Sequence, residues 1–564
     1  MKPHLPIGES DFRRIIQDGN YYVDKTLLIS EIIDSSRVVL ITRPRRFGKT
    51  LNMTTLRYFY GNEADNRPLF DGLKIMEQGE RYLSKMGRHP VLFMSFKDIK
   101  NNNWKDAYTN LISQIRLGTG FFEKDYPGVR EKLLSQEQEV LDRLFIGKTL
   151  TTDANLLLRA FCKAVHTHHG ASPVLLIDEY DTPITASYVD GYYDECIAFM
   201  RDLLAGGLKD NPWLEKAVLT GIVRVAKESI FSGLNNLAVW SVTGGGGTDK
   251  FGFTEEEVLR LLQACGLNGG EMDNVRRWYN GYLFSGVEVY NPWSVLNYAQ
   301  YTQDGFRPYW VNTSDNRLLR SLLIEGEASV REDLDKLMAG EWLTKPLSEH
   351  LVFQELNTKK EAVWNMLLAS GYLKCKGIRH DPAAHRYHAE LAIPNMELMY
   401  VYASSIDSWL SERIRGERFD EMMGYLIRGQ LDGFEELLLQ FLEQVASYHD
   451  TAGPKSENFY HALFLGMLVR LAGRYKIRSN WESGRGRYDI ALFPLNRTVD
   501  NGVVIEIKSP SRVAKETLEQ ALEAAVKQLK EKNYAADLYA DGVTQVVQVA
   551  LAVQGKEFLV KQVK

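Results

Sequence analysis

The residues Arg43-Pro44-Arg45-Arg46-Phe47-Gly48-Lys49-Thr50 follow a short aliphatic run, Val38–Thr42, and lead into a helical stretch. Strand, loop, Gly-Lys-Thr and helix is the order that holds a polyphosphate. Loop N–H groups wrap the phosphates at a helix N-terminus, where the helix dipole favours anions. In that arrangement Lys49 reaches the outer phosphates of ATP and the Thr50 hydroxyl ligates Mg²⁺. Arg45, Arg46, Phe47 and Gly48 complete the nucleotide-binding loop. Arg43 stands where the pattern GxxxxGK[ST] has its first glycine, so the loop gains phosphate-seeking charge and loses backbone freedom. A plain basic turn would carry the same Gly-Lys-Thr, and the motif therefore needs a partner. Val174-Leu175-Leu176-Ile177-Asp178-Glu179-Tyr180-Asp181 supplies one, an apolar strand ending in two adjacent acids. At the end of such a strand Asp178 would hold Mg²⁺ through water, and Glu179 would polarise the attacking water. Acids opening a helix are the ordinary explanation of such a pair, yet the two motifs in one domain are far more specific than either alone. A third run, Ala217–Thr220, leads into Gly221-Ile222-Val223-Arg224. Arg224 is the candidate sensor of the γ-phosphate, with Thr220 as the alternative and a plain surface arginine as the competing reading.

A second constellation lies near the C-terminus. Tyr488-Asp489-Ile490-Ala491-Leu492-Phe493 reads as one strand and Val503-Val504-Ile505-Glu506-Ile507-Lys508 as the next. Side chains alternate along a strand, so Glu506 and Lys508 point the same way. A charged pair among Val and Ile is costly unless it binds something. With Asp489 as the second carboxylate, the set suits Mg²⁺ or Mn²⁺, which prefer oxygen ligands. Such a metal lowers the pKa of a bound water and polarises a phosphodiester, and Lys508 would orient that water or offset transition-state charge. A surface hairpin with an ion pair is the bland alternative. The order helix, strand, strand, helix resembles the PD-(D/E)XK nuclease core, and that resemblance implies Glu457, on the preceding helix, as a candidate third metal ligand. Arg474, Lys476, Arg478, Arg485, Arg487, Arg512 and Lys515 give the region a basic neighbourhood suited to phosphate contacts, or simply a solvated charged surface.

The elements that must position these residues follow from the hydrophobic pattern. The chain has 564 residues, which at roughly 150 residues per domain means three or four domains. Runs at 38–41, 91–94, 174–177 and 217–220 are short, aliphatic and without alternation, as in parallel strands buried on both faces. The segment Ser241-Val242-Thr243-Gly244-Gly245-Gly246-Gly247-Thr248 reads as a boundary or a mobile loop. From about 252 to 440 the pattern is mostly helical and rich in Leu, Trp and Tyr. Within it Tyr290-Asn291-Pro292-Trp293 reads as a turn that packs an aromatic. Trp364-Asn365-Met366-Leu367-Leu368 followed by Gly371-Tyr372-Leu373 is compatible with a winged helix, a helical spacer being the plainer form. After Thr451-Ala452-Gly453-Pro454 come helix, two strands, a helix with Leu518, Leu522, Ala525 and Leu529 on one face, and a strand over 546–553. The division is 1–250, 251–440 and 441–564.

Composition excludes several classes. Hydrophobic residues make up 45% and charged residues 25%, ordinary for a globular protein. No stretch approaches the roughly 18 apolar residues of a membrane helix, and Met1–Arg14 has no apolar signal core. The 4 cysteines form no CxxC pair, which disfavours a zinc site or disulfide framework and makes the cytoplasm the expected compartment. The net charge of -5 means that any nucleic-acid binding must come from a local surface.

The phrases Tyr22-Val23-Asp24-Lys25-Thr26, Arg43–Thr50, Ile177–Asp181, Phe231-Ser232-Gly233-Leu234-Asn235-Asn236, Trp278-Tyr279-Asn280-Gly281-Tyr282, Tyr290–Ser294 and Ile393-Pro394-Asn395 resemble the bacterial AAA-ATPase-like proteins. That resemblance implies an α/β chain: an N-terminal P-loop parallel-sheet ATPase domain, a helical or winged-helix middle and a C-terminal restriction-endonuclease-like domain. The family usually carries a PD-(D/E)XK nuclease-like C-terminus, and its arginine-rich loop is its own variant of Walker A. Gln528 and Tyr534 match residues of the family's C-terminal helix, while Tyr488 replaces the proline that names the nuclease motif. The expectation is an ATPase joined to a metal-dependent nuclease acting on DNA. Its rival is a nucleotide-switched binding or signalling protein whose C-terminal fold is a scaffold. An ATP-driven remodeller would need an oligomeric ring with an arginine supplied in trans, and no arginine is assigned that role.

Overall fold

The computed structural model describes residues 2–225, 231, 236–267, 269–310, 333–334, 336–338, 340–348, 360–382, 385–402, 416–445, 460, 464, 467–468, 471, 474–483, 486–497, 499–511, 515–554 and 557–563.

The four aliphatic runs of the N-terminal half form strands β1 (Val38–Thr42), β2 (Val91–Ser95), β3 (Val174–Asp178) and β4 (Lys216–Gly221), joined by β5 (Leu237–Trp240). The sheet order is β2-β3-β4-β1-β5, and every neighbouring pair is parallel. Every residue of β1, β3 and β4 is buried, because helices cover both faces of a parallel sheet. This order places β4 between the phosphate-loop strand β1 and the acid-tipped strand β3.

The glycine-rich segment is held in place and is not a mobile loop. Gly246 O accepts from Arg43 Nη2 at 3.0 Å, and Gly247 N–H donates to Glu31 at 2.8 Å. At Gly245 a Cβ would come within 2.5 Å of Val239 O and 2.7 Å of Trp240 Cα. The segment is rich in glycine because it wraps the end of β5 too closely for side chains.

The middle segment combines helices with two small antiparallel sheets. One pairs β6 (Tyr282–Phe284) with β7 (Val287–Val289); the other orders β8 (Leu343–Leu347), β9 (Lys374–Asp381) and β10 (Arg386–Ala392) as β8-β10-β9. Strand β8, helix Lys360–Ala369 and the β9–β10 hairpin run in the element order of a winged helix. The C-terminal sheet contains β11 (Tyr475–Ser483), β12 (Gly486–Pro494), β13 (Gly502–Lys508), β14 (Val546–Gln554) and β15 (Glu557–Val563), in that order. Only β13 and β14 pair in parallel there, and helix Leu518–Lys532 connects them, burying Ala521, Ala525 and Leu529.

One continuous cluster of buried apolar side chains runs from Phe12 and Phe59 through Trp278, Tyr298 and Trp364 to Ile505 and Leu551. It crosses all three sheeted regions, so the middle segment packs into the core of its neighbours instead of hanging between them. Each such side chain contributes about 1.5–3 kcal/mol by burial. Among the described residues no helix is long and apolar enough to cross a membrane.

Candidate nucleotide and metal sites

The loop after β1 begins beside the end of β4, where Arg43 N–H donates to Gly221 O at 3.1 Å. It ends at Gly48, whose φ of 80° is left-handed and opens helix Lys49–Tyr60. Arg46 also has positive φ, at 69°. Lys49 is buried, and its ammonium donates to Arg43 O and Pro44 O at 2.9 Å each. Burial pulls the Lys49 pKa down, while Glu179, Asp178 and Asp181 push it back up. The ammonium therefore closes the loop into a ring, within a field set by the β3 acids.

Thr50 Oγ1 donates to Asp178 Oδ2 at 2.7 Å. The other carboxylate oxygen accepts from Thr220 Oγ1, and that hydroxyl also accepts from Glu179 N–H at 3.2 Å. Burial raises the Asp178 pKa, opposed by the Thr220 and Thr50 bonds. A buried carboxylate held by hydroxyls rather than by a directly bonded cation is a donor set that Mg²⁺ fits, being all oxygen and short of positive charge. Glu179 sits at φ 54°, a left-handed conformation uncommon outside glycine, with Thr182 donating to its carboxylate at 3.2 Å. A cavity of about 470 Å³ opens over Arg45, Arg46, Gly48, Lys49, Thr50 and Glu179.

The expected residues do not all converge. Arg224 is absent from the lining of that cavity and lines a separate small one with Thr42, Ser241 and Asn365. Thr220, the alternative, stands on Asp178. Asp181 is buried, and its carboxylate accepts from Ile222 N–H at 2.7 Å and Val223 N–H at 2.9 Å. It braces the turn after β4. Phe47 lines the cavity, and its ring is buried against Tyr282 and Phe284 at 4.8 and 5.2 Å.

Arg43 explains the missing glycine. Its guanidinium is fully buried and donates to Thr42 O at 3.0 Å, Trp240 O at 2.9 Å and Gly246 O at 3.0 Å. It also stacks 4.9 Å from the Phe284 ring centroid. Burial pushes its pKa down to about 9. Charge that looked available for phosphate is instead a structural tie between the loop root, β5 and the glycine-rich segment. Glu397, also overlooked, is fully buried, accepts from Trp310 N–H at 2.8 Å and from Ser294 Oγ at 2.8 Å, and is pushed up to about 8 by burial. Its only sequence signal was an acid next to the Ile393-Pro394-Asn395 phrase.

In the C-terminal sheet, the β12–β13 ladder pairs Ile490 with Ile505. One further step sets Asp489 across from Glu506, and facing residues of an antiparallel pair share a face. Ala491 and Val504 of that face lie in the core beneath helix Leu518–Lys532. Glu506 is fully buried, with Lys508 Nζ 3.0 Å from its Oε1. Asp489 Oδ2 accepts from Ile507 N–H at 2.8 Å. Tyr534, whose hydroxyl accepts from Gln528 at 2.8 Å, has its pKa raised first by burial and then by Glu506 and Asp489. Asp489, Glu506 and Lys508 thus share one face of the sheet, a set whose oxygen donors suit a hard divalent cation. Among the described residues no group of three or more His, Cys, Asp or Glu is placed to hold a metal. Glu457 lies outside the described residues.

Several cations of the expected nucleic-acid surface have partners inside the chain. Arg474 donates to Asp500 at 2.9 Å, Lys476 lies 3.2 Å from Asp304, and Arg478 stacks 4.4 Å from the Phe493 centroid. Lys476 ties β11 to the middle segment. Arg485 and Arg512 lie outside the described residues.

Comparison with known proteins finds two family models that match the segments holding these residues. A model described as "Predicted AAA-ATPase" matches residues 6–231, and one described as "PD-(D/E)XK nuclease superfamily" matches residues 455–563. A relative from Azotobacter chroococcum mcd 1, described as "Uncharacterized protein in vnfD 5'region", is 27% identical over 554 residues, covering 95% of this chain and 94% of its own length. No solved structure matches. The phosphate loop bonded to an acid-tipped strand thus lies in a segment, residues 6–231, that matches the AAA-ATPase-like family, and the Glu-x-Lys strand facing an aspartate lies in a segment, residues 455–563, that matches the PD-(D/E)XK nuclease superfamily.

Proposed function

We propose that the chain binds and hydrolyses ATP at the loop 43–50, and that this gates Mg²⁺-dependent cleavage of DNA by the C-terminal site, in the cytoplasm. The labour divides as an ATPase over 1–250, a coupling segment over 251–440 and a nuclease over 441–564. The observation that carries the reading is the 2.7 Å bond between Thr50 and Asp178, residues 128 positions apart. It brings the two oxygen donors of a nucleotide-bound Mg²⁺ together at the start of a helix.

Each residue then has a task. The N–H groups from Arg45 to Thr50 surround the phosphates. Lys49 exchanges the Arg43 and Pro44 carbonyls for outer phosphate oxygens, a gain because those oxygens carry full charge. Mg²⁺ or Mn²⁺ held by Thr50 and Asp178 supplies charge neutralisation across the phosphates. Glu179 orients a water and accepts its proton, and Thr220 holds both acids in register through its one hydroxyl. At the other site, Asp489 and Glu506 are the ligands for a metal that polarises a phosphodiester. Lys508, 3.0 Å from Glu506, would orient the attacking water.

The test is incubation of the full chain with plasmid and linear DNA, with Mg²⁺ or Mn²⁺, with and without ATP, beside a Lys49→Ala variant. ATP turnover by the parent and its loss in Lys49→Ala are expected; unchanged turnover in that variant refutes the nucleotide assignment. A second reading, a nucleotide switch with a non-catalytic C-terminal scaffold, is favoured by the direct pairing of buried Glu506 with Lys508. It expects ATP turnover with no cleavage under any metal.

A further inference from the structure

The phrase Tyr290-Asn291-Pro292-Trp293 has no part in the chemistry above, yet it reaches the phosphate loop. Asn291 is buried and caps helix Pro292–Gln300, its Oδ1 accepting from Trp293 N–H at 2.9 Å and Ser294 N–H at 3.3 Å. The Trp293 indole N–H donates to Tyr309 O at 3.1 Å. Backbone and ring are therefore both fixed. The Arg46 guanidinium lies 4.1 Å from the centroid of that ring. Arg46 is exposed within the phosphate cavity, at φ 69°, and its charge interacts with the Glu179 carboxylate. Trp293 lines the same cavity as Lys49 and Thr50.

Neighbouring loop residues are held from the same side. Trp310 Nε1 donates to Arg45 O at 3.4 Å. Gly371 packs on Pro44 so closely that a Cβ there would lie 2.7 Å from Pro44 Cβ. The arginine-rich loop is thus shaped by the middle segment, residue by residue.

We propose that Trp293 is a positioning residue for the ATPase site: its indole holds the Arg46 guanidinium beside Glu179, where that charge meets the γ-phosphate as it leaves. The proposal rests on the ATP-hydrolysis reading above. An unrestrained arginine samples many rotamers, and stacking on a fixed aromatic removes most of that freedom. The loop then supplies from within the chain the transition-state charge that other phosphate-transfer sites draw from an arginine finger, a contribution of about 10³–10⁵ in rate. It also makes turnover depend on a helix outside the ATPase domain, so displacement of that helix would slow hydrolysis without emptying the site.

The experiment measures kcat and KM for ATP in the full chain, comparing the parent with Trp293→Ala, Trp293→Phe, Arg46→Ala and the Trp293→Ala/Arg46→Ala double variant. Misplacing the guanidinium should lower kcat about 100-fold in Trp293→Ala, with KM nearly unchanged because Lys49 and the loop N–H groups still bind. Trp293→Phe keeps a weaker platform and should recover most of kcat. On the Arg46→Ala background, Trp293→Ala should cost nothing more, since both changes remove one interaction. An undiminished Trp293→Ala effect on that background, or a kcat equal to the parent's, overturns the proposal. If Trp293→Ala fails to fold, the milder Trp293→Phe loss decides, measured also in a Trp293→Phe/Arg46→Ala double variant, where it must vanish. A parent with no ATP turnover overturns the hydrolysis reading as well; a parent that turns over while Trp293→Ala matches it overturns the positioning role alone.

Discussion

Replacing Arg43 by glycine would restore the pattern GxxxxGK[ST], and it should damage the protein. The Arg43 side chain makes three hydrogen bonds of 2.9–3.0 Å to the carbonyls of Thr42, Trp240 and Gly246. Bonds from a charged donor are worth about 1.5–3 kcal/mol each. Against them stands the cost of burying the charge, which pushes the pKa well down, to about 9, and so opposes the bonds by about 5 kcal/mol. Arg43→Gly removes both contributions. It also strands buried carbonyls, at about 1–3 kcal/mol, and adds glycine freedom at about 0.5–1 kcal/mol. These contributions sum to a net loss of about 1–8 kcal/mol, with a midpoint of about 4.5 kcal/mol. Thermal melting followed by near-ultraviolet circular dichroism, at fixed protein concentration, should show a drop of roughly 10 °C in the transition of the N-terminal domain. ATP turnover should fall with it, because the loop root and the glycine-rich segment lose their common tie. Arg43→Lys should be intermediate, since one ammonium cannot span the same fork of acceptors. An Arg43→Gly protein that melts with the parent and hydrolyses ATP as fast would refute the structural role and return Arg43 to the phosphates.

Three other outcomes are expected. Glu179→Gln should lower kcat for ATP at least about 100-fold with nucleotide binding retained, as an amide orients water but cannot take its proton; parent-like turnover would place the base elsewhere. Glu397 has its pKa raised from 4.5 to about 8, so the folded state keeps a proton that the unfolded state has released. Its contribution is full below about pH 4.5 and declines by up to about 5 kcal/mol as pH rises to about 8. Glu397→Gln should therefore show a flatter melting temperature between those limits than the parent, and parallel pH profiles would contradict it. Calorimetric titration of the full chain with Mn²⁺ should lose its C-terminal component in both Asp489→Ala and Glu506→Ala, while Lys508→Ala keeps metal binding and loses DNA cleavage; identical titrations in the parent and both carboxylate variants would favour the scaffold.

What could be read without coordinates was whatever is written locally. The phosphate loop, the acid-tipped strand and the Glu-x-Lys strand each combine a buried apolar run with functional residues at its end or on one face, and all three stand where the pattern put them. Strands β5, β11 and β15 were not legible. Each lies at a sheet edge, where one side of the ladder is unpaired and side chains need not be apolar. The residues Tyr475-Lys476-Ile477-Arg478 therefore looked like a basic surface when they are strand. The glycine-rich segment looked mobile because the side chain that holds it, Arg43, lies 203 positions away.

By itself the sequence carried the two family signatures and their order along the chain, because each is written in residue types at fixed spacing at the end or on one face of an apolar run. Only the tertiary structure decided which charges are available for them. Arg43, Lys476 and Asp181 are indistinguishable from functional residues as letters. Each is committed to an internal partner, and that commitment depends on burial and on contacts between distant segments. Tertiary packing also gave the middle segment its hold on the phosphate loop, through Trp293, Trp310 and Gly371. No periodicity encodes such contacts, since the partners meet only once the shared core has formed.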